Sequence, residues 1–285
     1  MEEVWAALLR SVIFGTPILI AALGNLLNER AGVVNLGVEG MMAVGALAAF
    51  ATAQTTGSGA LGVLAGVLAG GVFALPHAFV AIGLRANQFV SGLALAMLGL
   101  GVAGLLGKRF EGQPLLASLP EMPFVYLGLA LAVALWAFLY LTHAGLVLRS
   151  VGENPAAADL LGIPVYRVRY WAVAVGGMFA GLAGAFLAVS YRSSWTEGMT
   201  NQLGWIAIAL TIFVAWEPLR AVLGAYFFGL LYYLGFALQD SAIPSVFLQA
   251  LPYALVIVVL ALVAWRRRQG AAPEALGLPY ERGRR

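Results

Sequence analysis

Residues 29–40, ERAGVVNLGVEG, set two acids, an arginine, an asparagine and three glycines between apolar runs of membrane length. Asn35 and Glu39 are four residues apart, so they share a face wherever helix begins there. Asn35 offers both a donor and an acceptor to a hydroxylated solute, and Gly37 lets backbone approach closely. Asn35, Leu36, Gly37 and Glu39 are therefore candidates for the wall of a substrate path. The plainer alternative is structural: Glu39 pairs with Arg30 or caps backbone donors. A bilayer accepts irregular polar backbone only where it is buried in protein or lines a water-filled cavity. The stretch is either a tight loop at the membrane surface or part of a permeation path.

A second polar interruption, TEGMTNQLGW at 196–205, precedes a short apolar run that ends in AWEP at 215–218. Interrupted segments in the two halves of a chain point to a transport site built on broken helices; two ordinary loops are the alternative. Asn87, Gln88 and Ser91 follow Arg85 at the start of another apolar run. They suit hydrogen bonding to a sugar or base, and equally suit helix capping and interhelical contacts. Trp195, Trp205 and Trp265 can stack on a nucleobase, but aromatic side chains also favour membrane interfaces.

The elements that must position these residues are membrane helices. The 285 residues are 62% hydrophobic and 10% charged, with a mean hydropathy of +0.91. A soluble domain carries about 25% charged residues. A helix needs about 20 apolar residues to span the hydrocarbon core. Runs at 11–27, 36–53, 60–83, 88–107, 124–141, 170–189, 203–215, 219–238 and 246–265 predict an all-α, polytopic protein. About 8–10 transmembrane helices are expected, some short or broken, with an internal two-half organisation. Run 203–215 is too short to cross without tilt or bilayer thinning, and Pro76 marks a possible kink. The glycines of 62–66 and 176–184 favour close helix packing. The hydrophilic intervals 108–123, 142–169, 191–202 and the tail after 265 are too short for a folded domain, leaving one transmembrane domain over 1–285.

Counting basic residues favours a cytoplasmic C-terminus. That orientation puts Arg30, Arg85, Arg149, Arg167, Arg169, Arg220 and the basic tail 266–285 inside, and Arg10, Lys108, Arg109 and Arg192 outside. It also puts the N-terminus outside. The start, MEEVW, is acidic and unlike a secretory signal, so the first helix is expected to remain in the mature protein.

Several chemistries are excluded. There is no cysteine, and the two histidines, His77 and His143, lie in different segments, so no metal site is expected. No nucleophile constellation and no acid relay runs through the spans. Gly107–Lys108 is followed by Arg109 and preceded by Val102 where a phosphate-binding loop needs glycine, so any ATP is hydrolysed by another subunit. No basic stripe interleaved with aromatics suggests nucleic acid.

The interval RSVGENPAAADLLGIP, 149–164, predicts a short surface helix. Asn154 fits the N-cap, Pro155 the first position, and Gly162 with Pro164 the stop. Small Ala156, Ala157 and Ala158 would let another protein approach closely; a plain surface helix is the alternative.

ERAGVVNLGVEGMMAVGA and VGENPAAADLLGI resemble the two signature regions of ABC-importer permeases of the ribose and branched-chain amino-acid superfamily. Residues 204–229 and the tail 273–285 match further, and the bacterial nucleoside and simple-sugar uptake branch is the nearest pattern. The resemblance implies a multi-pass inner-membrane subunit that works by alternating access. Its implied partners are a second, longer permease, ABC ATPase subunits that bind ATP and Mg²⁺, and an extracytoplasmic substrate-binding protein. It implies that 150–164 holds the coupling helix, with Glu153, Asn154, Pro155, Ala156, Ala157, Asp159, Leu160, Leu161 and Gly162 docking on the ATPase. It also implies that Asn35, Leu36, Gly37 and Glu39 lie beside the path. AWEP departs from the pattern, which expects glycine and then a polar or basic residue before the tryptophan.

Overall fold

The computed structural model describes residues 2–115, 117–192, 194–237 and 272–282, with isolated positions 254, 257, 258 and 261. Apart from those positions, the expected span over 246–265 lies outside the described residues, as do Trp265, Arg266, Arg267, Arg268, Arg284 and Arg285.

Among the described residues every regular element is a helix, and two isolated β-bridges lie outside them. The helices are α1 (Glu2–Arg30), α2 (Val38–Thr56), α3 (Gly59–Ala78), α4 (Gln88–Gly107), α5 (Met122–Leu141), α6 (His143–Glu153), α7 (Pro155–Leu160), α8 (Val165–Phe186), α9 (Leu203–Phe213) and α10 (Pro218–Ala237). Among the described residues, five helical stretches are long and apolar enough to cross a membrane: Ala7–Arg30, Gly59–Gly83, Gln88–Phe110, Met122–Leu141 and Val165–Tyr191. α3 continues through Pro76 into a π-helical turn at Phe79–Gly83, and α8 ends in another at Leu187–Tyr191. α9 has 11 residues, about 16 Å of helix at 1.5 Å per residue.

The centre is built on glycine. A Cβ added at Gly45 would lie 2.5 Å from Gly181 Cα, and one at Gly70 would lie 2.6 Å from the same atom. Helices α2, α3 and α8 therefore meet at backbone distance, as the glycines of 62–66 and 176–184 predict. Lipid tails are as apolar as leucine, so association in a bilayer rests on close packing of this kind. The outward flanks of α3 and α4 carry the apolar surface, with Leu64, Val72, Val90, Met97 and Leu105 all exposed.

The hydrophilic interval 142–169 holds more helix than the expected surface helix alone. It contains α6 and α7, and α8 begins at Val165, earlier than expected. Thr142 caps α6 by accepting from the Gly145 amide at 3.0 Å. α6 is amphipathic, and mixed polarity hides such a helix from a search for apolar runs.

At one end of the bundle Arg85 pairs with Glu281 at 3.5 Å and Arg282 with Asp159 at 3.1 Å. At the other, Glu111 bridges Trp195 and Pro114 bridges Ser194, joining intervals 108–123 and 191–202.

Candidate functional site

The first interruption is a buried crossing of irregular backbone. α1 stops in a Schellman motif: Gly32 takes φ +82°, its amide donates to Glu29 O at 2.9 Å, and the Val33 amide donates to Asn28 O at 3.1 Å. Glycine at that position bears no Cβ penalty. The chain then runs non-helically to Gly37, and Val33, Val34 and Asn35 are buried. Buried backbone of this kind must find its partners within the protein. The Val34 amide donates to Gln88 Oε1 at 2.8 Å, and the Val34 carbonyl lies 3.0 Å from His77 Nε2. A carbonyl only accepts, so Nε2 carries the proton. In the neutral ring Nδ1 then accepts from the Ser91 hydroxyl, 3.0 Å away.

Asn35 is fully buried. Its Oδ1 accepts from the Gly37 amide at 2.9 Å, closing a local turn that starts α2. Leu36 is half-buried, and a Cβ on Gly92 of α4 would lie 2.5 Å from its nitrogen.

Glu39 joins the two interruptions. Its Oε1 accepts from the Thr200 hydroxyl at 2.5 Å and the Gln202 amide at 3.0 Å, and its Oε2 accepts from the Gly204 amide at 2.6 Å. The carboxyl group thus caps α9 from α2, where the exposed amides and the helix dipole favour an acid. Of the structural alternatives, capping is the one observed, and the donors belong to the other half of the chain. Arg30 turns away from Glu39 and donates to the Trp216 carbonyl through Nε at 3.1 Å and Nη2 at 2.9 Å.

The other end of α9 is held the same way. The Trp216 indole donates to Glu29 Oε2 at 2.5 Å, and Asn25 Nδ2 donates to Glu29 Oε1 at 2.9 Å. The acids flanking the first interruption, Glu29 and Glu39, therefore grip α9 at opposite ends.

α9 also ends in a Schellman motif, with Ala215 N–H on Ile212 O at 3.1 Å and Trp216 N–H on Thr211 O at 3.1 Å. Here alanine takes the left-handed position, at φ +54°. That conformation costs an L-residue about 1–2 kcal/mol. The departure from the family pattern at AWEP is thus a local strain. Ala215→Gly is expected to raise stability by about 0.5–1 kcal/mol after the extra unfolded-state entropy of glycine. Thermal unfolding in detergent should show a higher midpoint; an unchanged or lower one would refute the strain.

The remaining predicted residues divide. Gln88 and Ser91 join the buried cluster. Asn87 does not: it is exposed and caps α4, accepting from the Phe89 and Val90 amides at 3.0 and 3.1 Å. Trp205 is half-buried in the first turn of α9, next to the Gly204 amide that Glu39 caps. Four contributors were not among the predicted site residues: His77, which lies in an apolar run, and Glu29, Thr200 and Trp216, which lie within the polar interruptions and AWEP. Beside the second interruption a small cavity of about 40 Å³ is lined by Phe14, Tyr191, Arg192, Asn201, Leu203 and Tyr232, with the Phe14 and Tyr191 rings 5.1 Å apart. Among the described residues no cluster of three metal-ligating side chains occurs.

The predicted surface helix forms as α7. Asn154 Oδ1 accepts from the Ala157 amide at 2.9 Å, Pro155 opens the helix, and Gly162 closes it at φ +81°. Ala158 is buried with Val151, Val165 and Tyr280. Glu153, Ala156 and Ala157 face out, and Leu160 and Leu161 are 88% and 82% exposed. Two adjacent leucines presented in this way make an apolar knob.

A family model described as branched-chain amino acid transport system / permease component matches residues 7–263. The chain is 36% identical to the guanosine ABC transporter permease protein NupQ of Bacillus subtilis, over 96% of each chain. It is 34% identical to the nucleoside ABC transporter permease protein NupC of Lactococcus lactis, over 94% of each. It is 42% identical to TsgC13 of Haloferax volcanii, provisionally assigned as a glucose ABC transporter permease, over 76% of this chain and 72% of that one. Among solved structures, a metal-chelate-type ABC transporter in an inward-facing conformation superposes with a TM-score of 0.54 at 16% identity. That likeness covers 89% of this chain and 85% of the other, and it is one of fold.

Proposed function

This chain belongs to the family of branched-chain amino acid transport system permease components; it is a membrane-spanning permease subunit of an ABC transporter, and on that premise we propose that it carries nucleosides inward by alternating access. The observation that carries the reading is the buried pair of interruptions joined through Glu39. Helices broken in mid-bundle, with the Val34, Gly37, Gln202 and Gly204 amides answered by fixed side chains, suit a path wall that guides a solute without holding it. A path that binds tightly does not release its cargo.

The nucleoside assignment rests on the relatives NupQ and NupC, which match almost the full chain. A simple sugar is the second reading, favoured by TsgC13. ATP and Mg²⁺ act on a separate ATPase that docks on α7 through Leu160 and Leu161. A longer companion permease and an extracytoplasmic binding protein complete the machine. The end bearing Arg85, Asp159 and Arg282 faces the cytoplasm in a bacterial inner membrane, which places the C-terminus inside.

The test is uptake of labelled guanosine by vesicles holding the assembled complex and its binding protein. Guanosine should accumulate and unlabelled nucleosides should compete. Competition by a pentose or hexose alone would transfer the assignment to sugars.

A further inference from the structure

The described part of the tail, residues 272–282, lies across the junction between the predicted ATPase-docking region and the first interruption. Its contacts alternate between the two. The Ala275 amide donates to Gly152 O of α6 at 3.0 Å, and two residues on the Gly277 amide donates to Gly32 O at 3.3 Å. The Glu274 amide reaches Glu153 Oε2 at 3.2 Å. The Leu278 carbonyl accepts from Arg169 Nη1 at 3.3 Å, while Arg169 Nε donates to Ala31 O at 3.2 Å. Arg169 is 2% exposed, so one buried guanidinium ties the tail to the backbone just ahead of Val34.

Farther along, Tyr280 packs on Ala158 of α7, and Arg282 pairs with Asp159. Gly277 takes φ +76°, a conformation that suits glycine, and a Cβ there would touch Val34 and Phe89 at 3.4 Å. The tail thus lies in van der Waals range of Val34 where it crosses the interruption, in a backbone conformation that glycine supplies. Four of these bonds involve tail backbone groups, which have no rotamer freedom to take up slack.

We propose that residues 272–282 form a strap that fixes the position of the α6–α7 docking region relative to the 31–37 crossing, so that displacement of α7 by the ATPase reaches the transport path. This deepens the function proposed above and rests on it. The strap residues touch neither nucleotide nor solute; they are positioning residues.

The experiment uses the assembled complex of this chain with its ATPase, companion permease and binding protein in liposomes. One variant ends after residue 271. The other is Ala275→Pro, which removes the amide that reaches Gly152 and leaves the membrane helices intact. Both should retain the ATPase on copurification and keep basal hydrolysis. Stimulation of hydrolysis by substrate-loaded binding protein, and uptake, should both fall about tenfold, within the usual range of coupling between sites. Unchanged stimulation and uptake in either variant that assembles would overturn the strap. Loss of the ATPase from both would make the tail an assembly element, which also overturns it. Failure of the unaltered chain to hold any ATPase would instead defeat the function on which the strap rests.

Discussion

Glu39→Ala should abolish uptake and destabilise the fold more than any other single change at the two interruptions. The substitution strips the acceptor from the Thr200 hydroxyl and from the Gln202 and Gly204 amides at once. Two of these three bonds are buried, and a buried donor left without an acceptor costs about 1–3 kcal/mol, so the loss is on the order of 2–6 kcal/mol. Gln202 and its neighbour Asn201 already hold left-handed backbone, at φ +63° and +47°, and lose what fixes them there. Glu39→Gln should fall between, because its amide nitrogen cannot accept and one of the two carboxyl sides goes unanswered. A double-mutant cycle with Thr200→Val isolates that bond, with an expected coupling of about 1–2 kcal/mol. Midpoints of thermal unfolding in detergent and uptake rates supply the readings. Near-normal values for Glu39→Ala would mean that the two interruptions do not depend on each other.

Leu160→Asp with Leu161→Asp should release the ATPase while the permease itself still folds. Both side chains are already exposed in this chain, so the fold has little to lose. Burying a leucine in a partner groove contributes about 1.5–3 kcal/mol, so two contribute on the order of 3–6 kcal/mol, about 10²–10⁴ in affinity. An aspartate in such a groove adds a desolvation cost. Copurification of the ATPase should be lost, with an unchanged elution volume and melting curve for the permease alone. Retention of the ATPase by the double variant would move the docking surface away from α7.

Much of this molecule is legible in its residues, for reasons that are local. The stop of α1 follows from a glycine where the chain must turn left-handed, and α7 follows from Asn154, Pro155 and Gly162 at cap, first turn and stop. Apolar length locates α3, α4 and α5. What stays hidden is whatever depends on distant partners. Glu39 is visibly an acid near a break, yet its three donors lie 161 to 165 residues away. His77 reads as one more residue of an apolar helix, because its task, answering the Val34 carbonyl, exists only once α3 lies against the crossing. Asn35 has the right chemistry for a ligand, but its oxygen is committed to Gly37 and its side chain is enclosed. α6 escaped a search for apolar runs because half of its surface is polar, and the tail gives no local sign that its amides will find Gly32 and Gly152.

The decisive measurement is the energy source of uptake. Vesicles holding this chain with its ATPase, companion permease and binding protein should accumulate guanosine when ATP and Mg²⁺ are supplied on the ATPase side. They should not do so with a non-hydrolysable analogue, and vesicles holding this chain alone should accumulate nothing under a proton or sodium gradient. Gradient-driven accumulation by this chain without any ATPase would contradict an ATP-driven permease subunit.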